Sequence, residues 1–208
     1  MREYIHSIPR KHYPAIERYF DLMENSHDID PDTASGRKNR QKIKSEITNL
    51  LQGIPSFFEP PLMLIDMLRE EGKMDEADKL LSTSFDRVMS AISNKNGELP
   101  DLLVWGLVEN RSIMRIIVQQ GIVFWEANWK ARAKALFQEI LRMDLEDRLG
   151  VRFYILAILE HMSHDDFEFT FIDSNGFYKE SLTPWFEKGL ANYPEYFKDW
   201  SEKMKEYE

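Results

Sequence analysis

The 208-residue sequence contains no cysteine. This absence excludes disulfide frameworks, thiol nucleophiles, iron–sulfur clusters and cysteine-ligated zinc. Glycine and proline are scarce, with nine of each, and no phosphate-cradling glycine loop or dinucleotide fingerprint is present. An ordered serine, histidine and aspartate set is also missing. With neither a nucleophile nor a cofactor motif, the sequence predicts a protein that is not an enzyme and has no cofactor.

The sequence also has fewer positive than negative charges, and it lacks long apolar runs. Lysine and arginine total 27 against 36 aspartates and glutamates, a formal net charge of −9, which disfavours a surface that tracks nucleic acid phosphates. No segment reaches the roughly 18 uncharged apolar residues of a membrane span, and Met1–Arg10 carries charges and a proline instead of an apolar signal core. We therefore expect a cytoplasmic protein without nucleic acid or membrane partners.

Apolar residues recur at steps of three and four along most of the chain, the spacing of amphipathic helices. The predicted fold class is all-α. The predicted helices span Pro14–Glu24, Gly36–Leu51, Pro60–Glu71, Asp75–Ser93, Ser112–Ala127, Lys130–Met143, Asp147–Met162, Thr183–Ala191 and Pro194–Tyr207. A polar connector is predicted over Asn25–Ser35. Phenylalanines alternate with polar residues over Ser163–Tyr178, which is compatible with a short strand, but we expect an irregular segment there.

Two parts of the chain share one pattern at a constant offset, the offset that separates Ala77 from Ala133. Each part predicts a helix, a tight turn and a second helix. The first is Leu64-x3-Leu68-x3-Gly72-x-Met74-x2-Ala77-x3-Leu81, and the second is Gln120-Gly121-x2-Phe124-x3-Asn128-x4-Ala133-x3-Phe137.

The spacing resembles the tetratricopeptide repeat, a unit of roughly 34 residues with small side chains where its two helices cross. In the second part Gly121 and Ala133 take the small positions and Phe124 and Phe137 two large ones. The segment from Trp105 to Leu159, through WGLVENR and LRMDLEDRLGVRF, resembles a group of bacterial tetratricopeptide-like proteins that carry ENRP, a repeat and a segment like LRLNPNDNQGVRY.

The resemblance implies a right-handed stack of antiparallel helix hairpins, an α-solenoid with non-repeat flanking helices. We expect one helical-repeat domain over residues 1–208. Within it, N-terminal helices occupy residues 1–57, two to three repeat units occupy 58–162, and an aromatic capping segment occupies 163–208.

In such a stack the first helix of each pair lines a concave groove. The hypothesis is a scaffold or adaptor that binds a protein or peptide there. The candidate partner-binding residues are Met63, Asp66, Arg69, Trp105, Arg111, Arg115, Gln119 and Ile122. A subset of these repeats clamps a peptide's C-terminal carboxylate with lysine and asparagine. Those positions here are Leu62, Asp66, Val118 and Ile122, which disfavours that partner class.

Arg111 and Arg115 lie one turn apart, so together they can hold a carboxylate, and Trp105 can stack on a guanidinium. A structural interpretation stays open and is favoured. In it Asn110 or Ser112 caps the helix, and Glu109 or Asp147 neutralises Arg111. A further structural option pairs Glu109 with Arg148 or Arg152.

The alternative function is a metal-dependent hydrolase built on His161, His164, Asp165 and Asp166, the one cluster with metal-ligand chemistry. The favoured interpretation is structural: His161 ends one helix, and Ser163 to Asp166 begin the next element. Likewise, the five cations of Arg37–Lys44 can touch phosphate or an acidic partner, but a solvated face opposite Ile43 and Ile47 is preferred.

Aromatic residues are expected to be mostly packing, including Phe124, Trp125, Trp129 and Phe137. The C-terminal segment is denser in aromatics than a capping helix pair requires, so some are expected to cover the end of the stack and some to form a homo-oligomer contact. These are Phe167, Phe169, Phe171, Phe177, Trp185, Phe186, Tyr196, Phe197 and Trp200.

Overall fold

The computed structural model describes residues 2–24 and 33–207. The described residues form ten α-helices and very little strand, which confirms the all-α fold class. The helices are α1 (Tyr13–Glu24), α2 (Ala34–Gly53), α3 (Glu59–Glu70), α4 (Met74–Ile92), α5 (Val108–Glu126), α6 (Lys130–Met143), α7 (Val151–Leu159), α8 (His164–Phe171), α9 (Leu182–Leu190) and α10 (Lys198–Met204). A two-residue parallel ladder joins β1 (Glu3–Tyr4) to β2 (Leu102–Leu103), with Glu3 opposite Leu102.

The chain divides into two compact units. The N-terminal unit comprises residues 6–91 and 107–113, and the C-terminal unit comprises residues 2–5, 92–106 and 114–207. Helix α5 therefore contributes its first residues to one unit and the rest to the other. The single repeat domain expected over residues 1–208 stays a prediction.

The core of the N-terminal unit is built on one face of α2. Ile43, Ile47 and Leu50 are buried there, as the helical spacing predicts, and Thr33 caps the helix by accepting a hydrogen bond from the Gly36 amide at 2.9 Å. The side chains that pack with this face are Ile8, Tyr19, Ile54, Phe57 and Met67. Most of the connector predicted over Asn25–Ser35 lies outside the described residues.

Two cations of the Arg37–Lys44 run hold the C-terminal end of α3. Arg40 Nη1 lies 2.8 Å from a Glu70 carboxylate oxygen, and its Nη2 donates to the Met67 carbonyl at 2.8 Å. Lys44 Nζ lies 2.6 Å from a Glu71 oxygen. Hydrogen bonds from Lys44 and Lys73 lower the pKa of Glu71 to about 2. Part of the run therefore has a structural role inside the N-terminal unit.

The C-terminal unit is organised around Trp125, which is 1% exposed. The Trp125 ring centroid lies 6.4 Å from that of Phe137, 5.9 Å from Tyr154 and 5.8 Å from Phe167. Its indole nitrogen donates to the Met162 carbonyl at 3.1 Å. One side chain at the end of α5 thus contacts aromatic residues of α6, α7 and α8.

The offset between the two similar parts of the sequence is reproduced in the backbone. Helices α3 and α5 end at Glu70 and Glu126, and α4 and α6 begin at Met74 and Lys130. In the turns between them, Gly72 and Asn128 have φ of 71° and 61°. The same amide-to-carbonyl bond closes both turns, from residue 73 to residue 68 at 2.9 Å and from 129 to 124 at 2.7 Å. This is the bond pattern in which a left-handed residue ends a helix.

A third turn of this kind joins α7 to α8. His161 has φ of 64°, and the Met162 amide donates to the Ala157 carbonyl at 2.9 Å. The separation of His161 from Asn128 in the sequence is close to one tetratricopeptide period. The Tyr154 and Phe167 rings lie 5.3 Å apart, so α8 folds back against α7.

Close helix contact in the C-terminal unit depends on glycine. A Cβ atom added to Gly121 would lie 2.5 Å from Phe137 Cε1, and Ala133 and Phe137 have no exposed surface. Helices α5 and α6 therefore meet at the small residues that the sequence predicts for a helix crossing. A Cβ atom on Gly189 of α9 would lie 2.6 Å from Leu156 Cδ2 of α7, a second close contact that the sequence did not predict.

Several elements differ from the prediction; helix α5, for example, begins at Val108 instead of Ser112. The first half of the segment Ser163–Tyr178, expected to be irregular, forms helix α8, because Ser163 and Asp166 build a capping box in which the Asp166 amide donates to Ser163 Oγ at 3.0 Å. The second half has no helix, and Ile172 and Tyr178 form an isolated antiparallel bridge. Helix α7 begins at Val151 instead of Asp147, since Asp147 and Gly150 have positive φ. The ladder of β1 and β2 was not predicted, because two residues are too few for a strand pattern.

We predict that Gly121→Ala lowers the free energy of unfolding by about 1–2 kcal/mol, although alanine is the better helix former. Because two Phe137 ring atoms would lie within 2.9 Å of the added carbon, the overlap costs about 2–3 kcal/mol and outweighs a helix-propensity gain of about 1 kcal/mol. Urea unfolding followed by circular dichroism measures this loss.

Gly53→Ala is the matched control, because nothing lies within 4 Å of a Cβ atom there, and it should not destabilise. In a Phe137→Leu background the cost of Gly121→Ala should shrink. Equal costs in both backgrounds would contradict a contact between the two side chains.

We predict that Glu71→Gln lowers the melting temperature at neutral pH but not near pH 2. The pKa of Glu71 is about 2 in the folded protein against an ordinary value of 4.5. Its ionisation therefore stabilises the fold above pH 4.5, and this contribution is lost as the pH falls through 2. Melting curves at acidic and neutral pH for wild type, Glu71→Gln and the exposed-site control Asp78→Asn test this. A constant gap between wild type and Glu71→Gln across that range would refute it.

Candidate functional site

Helix α5 presents one line of accessible side chains in the C-terminal unit. From Met114 to Gly121, only Arg115 and Gln119 lie outside the core, and Ile122 follows half-buried at the next position of that face. The spacing i, i+4, i+7 places these three residues along one side of the helix. We call Arg115, Gln119 and Ile122 the α5 line. It combines a cation, an amide and an aliphatic side chain, all predicted to bind a partner.

Helix α3 presents a corresponding line in the N-terminal unit. Met63 is half-buried against the core of that unit, and Asp66 is exposed. They correspond to Gln119 and Ile122, so the accessible positions follow the same offset as the turns. Arg69, also predicted, is half-buried beside this line. Two helices thus keep side chains at corresponding repeat positions out of the core, although the residue types differ.

Trp105 and Arg111 are both half-buried. Trp105 lies in the C-terminal unit before α5 begins, and Arg111 belongs to the short part of α5 assigned to the N-terminal unit. The structure places them in separate units. Their use by a partner stays a prediction.

Asn110 and Ser112 were predicted as alternative caps of the helix that carries Arg111. Asn110 is buried and its side-chain oxygen accepts a hydrogen bond from the His6 amide at 3.3 Å, while Ser112 hydrogen-bonds Glu59. Helix α5 begins at Val108, so both residues lie within the helix and the prediction that one of them is its N-cap is wrong.

Neutralisation of Arg111 by Asp147 stays a prediction, because the two residues belong to different units. Asp147 pairs within its own segment. Its fully buried carboxylate lies 2.7 Å from Arg152 Nη1 and accepts from the Val151 amide at 2.7 Å. Burial raises the pKa of Asp147 to about 6, and the Arg152 guanidinium opposes that rise. Arg148 pairs with Asp144 at 2.8 Å and with Glu146. These contacts secure the start of α7. The expected contact of Arg148 or Arg152 with Glu109, which belongs to the other unit, stays a prediction.

The residues of the hydrolase alternative have separate roles. His161 forms the left-handed turn, and Asp166 caps α8. His164 is buried against Trp125, with its Nδ1 3.4 Å from a Glu126 oxygen, and Asp165 is exposed. Within residues 2–24 and 33–207, no three histidine, aspartate or glutamate side chains are grouped closely enough to hold a metal ion. The hydrolase stays a prediction that no geometry here favours.

The aromatic residues near the second turn are not all packing. Trp125 and Phe137 are buried as expected, but Trp129 is 53% exposed, so the prediction for Trp129 is wrong. Its ring centroid lies 5.6 Å from that of Phe124, and Arg132 Cζ lies 4.3 Å above the Phe124 ring. The offset carried a usable signal, because Trp129 corresponds to Lys73, an exposed turn residue. Neither Trp129 nor Arg132 was among the predicted binding residues.

The C-terminal aromatics fall into three classes, and the half-buried class contains Trp185, Tyr196 and Trp200. Phe167, Phe171, Phe186 and Phe197 are buried, whereas Phe169 is 87% exposed and Phe177 is 69% exposed. The buried group packs within the C-terminal unit. Homo-oligomer formation through the exposed pair stays a prediction.

Comparison of the chain with protein-family models, with curated proteins and with solved structures finds no match. Across the described part of the chain, no helix has both the length and the apolar character needed to span a membrane.

Proposed function

We propose that this protein is a helical-repeat scaffold or adaptor that binds a protein or peptide through the first helices of its hairpins. The observation that carries the proposal is the pair of accessible lines on α3 and α5. Both lie on helices whose neighbouring positions are mostly buried, and they recur at the offset of the internal repeat.

The hairpin geometry supports a tetratricopeptide-like arrangement. Three turns end their first helix with a left-handed residue and the same backbone hydrogen bond. In the C-terminal unit, Trp125 packs against rings of α6, α7 and α8, so two consecutive hairpins share one core. Repeats of this kind bury a continuous core by stacking, and they leave side chains of the first helices available for binding.

The chemistry of the α5 line suits a protein surface better than a small substrate. A guanidinium, an amide and an aliphatic side chain follow each other over about two helical turns, which extends over roughly 10 Å. Such a row can contact successive residues of a peptide, through hydrogen bonds at one end and apolar packing at the other.

We predict that the double substitution Arg115→Glu and Ile122→Ser abolishes capture of the specific partner without lowering the melting temperature by more than about 2 °C. Both side chains lie at least partly outside the core, so the change alters the surface and spares the packing. Immobilised wild type and variant are compared by quantitative mass spectrometry of the proteins each retains. The single substitutions Arg69→Glu and Gln119→Ala then test whether one residue of α3 and a further residue of α5 contribute to binding.

Lys188→Glu is the matched control, an exposed charge reversal on α9 of the same unit. It should retain every partner that the wild type retains. The same set of partners on wild type, the α5 double variant and the Arg69 variant would overturn the proposal.

A further inference from the structure

Phe124, Trp129 and Arg132 form a compact patch at the turn between α5 and α6, within the C-terminal unit. The Arg132 guanidinium carbon lies 4.3 Å from the Phe124 ring centroid and 5.4 Å from that of Trp129. The two rings are tilted by 37° to each other. The guanidinium therefore sits over both aromatic rings at once, a contact that orients it without using its hydrogen-bond donors.

The patch is open to solvent. Trp129 is 53% exposed and Arg132 is exposed. Residues 128–132 line a shallow depression of about 470 Å³. An exposed tryptophan is costly to leave in water, and tryptophan with arginine is the pair most enriched at the energetic centres of protein interfaces.

The charge of the patch is not satisfied internally. Within residues 2–24 and 33–207, the Arg132 guanidinium forms no hydrogen bond or ion pair, and its contacts are the two rings. The first turn of α6 contains Lys130 and Arg132 and no acidic residue. The local charge is thus positive in a chain whose net charge is −9, so the patch complements a partner of the opposite sign.

We propose that this patch binds a peptide segment that carries a carboxylate side chain next to an aliphatic one. The carboxylate accepts paired hydrogen bonds from the outward N–H groups of Arg132, and the aliphatic side chain packs on the exposed face of Trp129. The stacked guanidinium is already oriented, which lowers the entropic cost of binding. This inference rests on the proposed binding function and adds a second contact surface and the chemistry of the partner.

The probe is an acetylated, amidated pentapeptide of alternating leucine and glutamate, and its counterpart has glutamine in place of glutamate. Binding is followed by NMR through the indole N–H signal of Trp129, assigned by its loss in Trp129→Phe, and through the Nε–H signal of Arg132. The glutamate peptide should shift both signals and bind about tenfold more tightly than the glutamine peptide, the effect of one charge-assisted hydrogen bond.

Arg132→Gln should weaken binding of the glutamate peptide about tenfold, and Arg132→Lys should weaken it less. The control Lys188→Gln, an exposed residue of α9, should leave binding unchanged. Retained dispersion of the other indole signals shows that each variant is folded. Equal binding of the two peptides, or unchanged binding of the glutamate peptide to Arg132→Gln, would overturn the proposal that this patch binds a carboxylate. If the α5 double variant loses its partners while Arg132→Gln keeps them all, the scaffold function stands and the patch inference falls. If the α5 double variant, Arg69→Glu and Arg132→Gln all keep every partner, both fall.

Discussion

The close contact between Gly121 and Phe137 is the constraint on which the C-terminal unit depends. Helices α5 and α6 are separated by three residues, so the chain must reverse at once and the helices must touch near the turn. Phe137 fills that space and has no exposed surface, and any side chain at residue 121 would occupy the same volume. Because protein interiors are close-packed, an overlap of this size cannot be absorbed without displacing one helix.

The surrounding packing follows from this contact. With α6 held against α5, Trp125 reaches the rings of Tyr154 and Phe167 and joins the next hairpin to the first. Core residues then occupy most positions of α5 from Met114 to Gly121, and the accessible residues in that stretch are Arg115 and Gln119 of the α5 line. The patch of Phe124, Trp129 and Arg132 has another origin. Trp129 belongs to the turn between α5 and α6, and its side chain lies outside the core.

Much of this arrangement was accessible from sequence, because it depends on local spacing. The offset that relates Ala77 to Ala133 predicted the turns and the small residues at the crossing, and both are confirmed. Helix periodicity predicted nine of the ten helices to within a few residues. The structure confirms the all-α fold class, and the resemblance to tetratricopeptide repeats stays an interpretation.

What the sequence could not supply depends on contacts between distant residues or on competing local signals. The capping box of Ser163 and Asp166 overrides the alternation of Phe167, Phe169 and Phe171 that indicated an extended chain. The exposure of Trp129 contradicts the general tendency of aromatics at helical spacing to be buried. The pairing of Asp147 with Arg152 was not among the predicted pairs, because the turn that brings the two side chains together depends on the positive φ of Asp147 and Gly150.

The most direct test of the account is the NOE spectrum between the Gly121 Hα protons and the Phe137 ring protons. The geometry predicts strong cross-peaks, because the direction of a Cβ atom on Gly121 points into the ring edge. Strong cross-peaks from the ring protons on Cε and Cζ of Phe137 would establish the helix crossing in solution. Their absence in a folded sample with assigned signals would contradict it, and with it the placement of the α5 line.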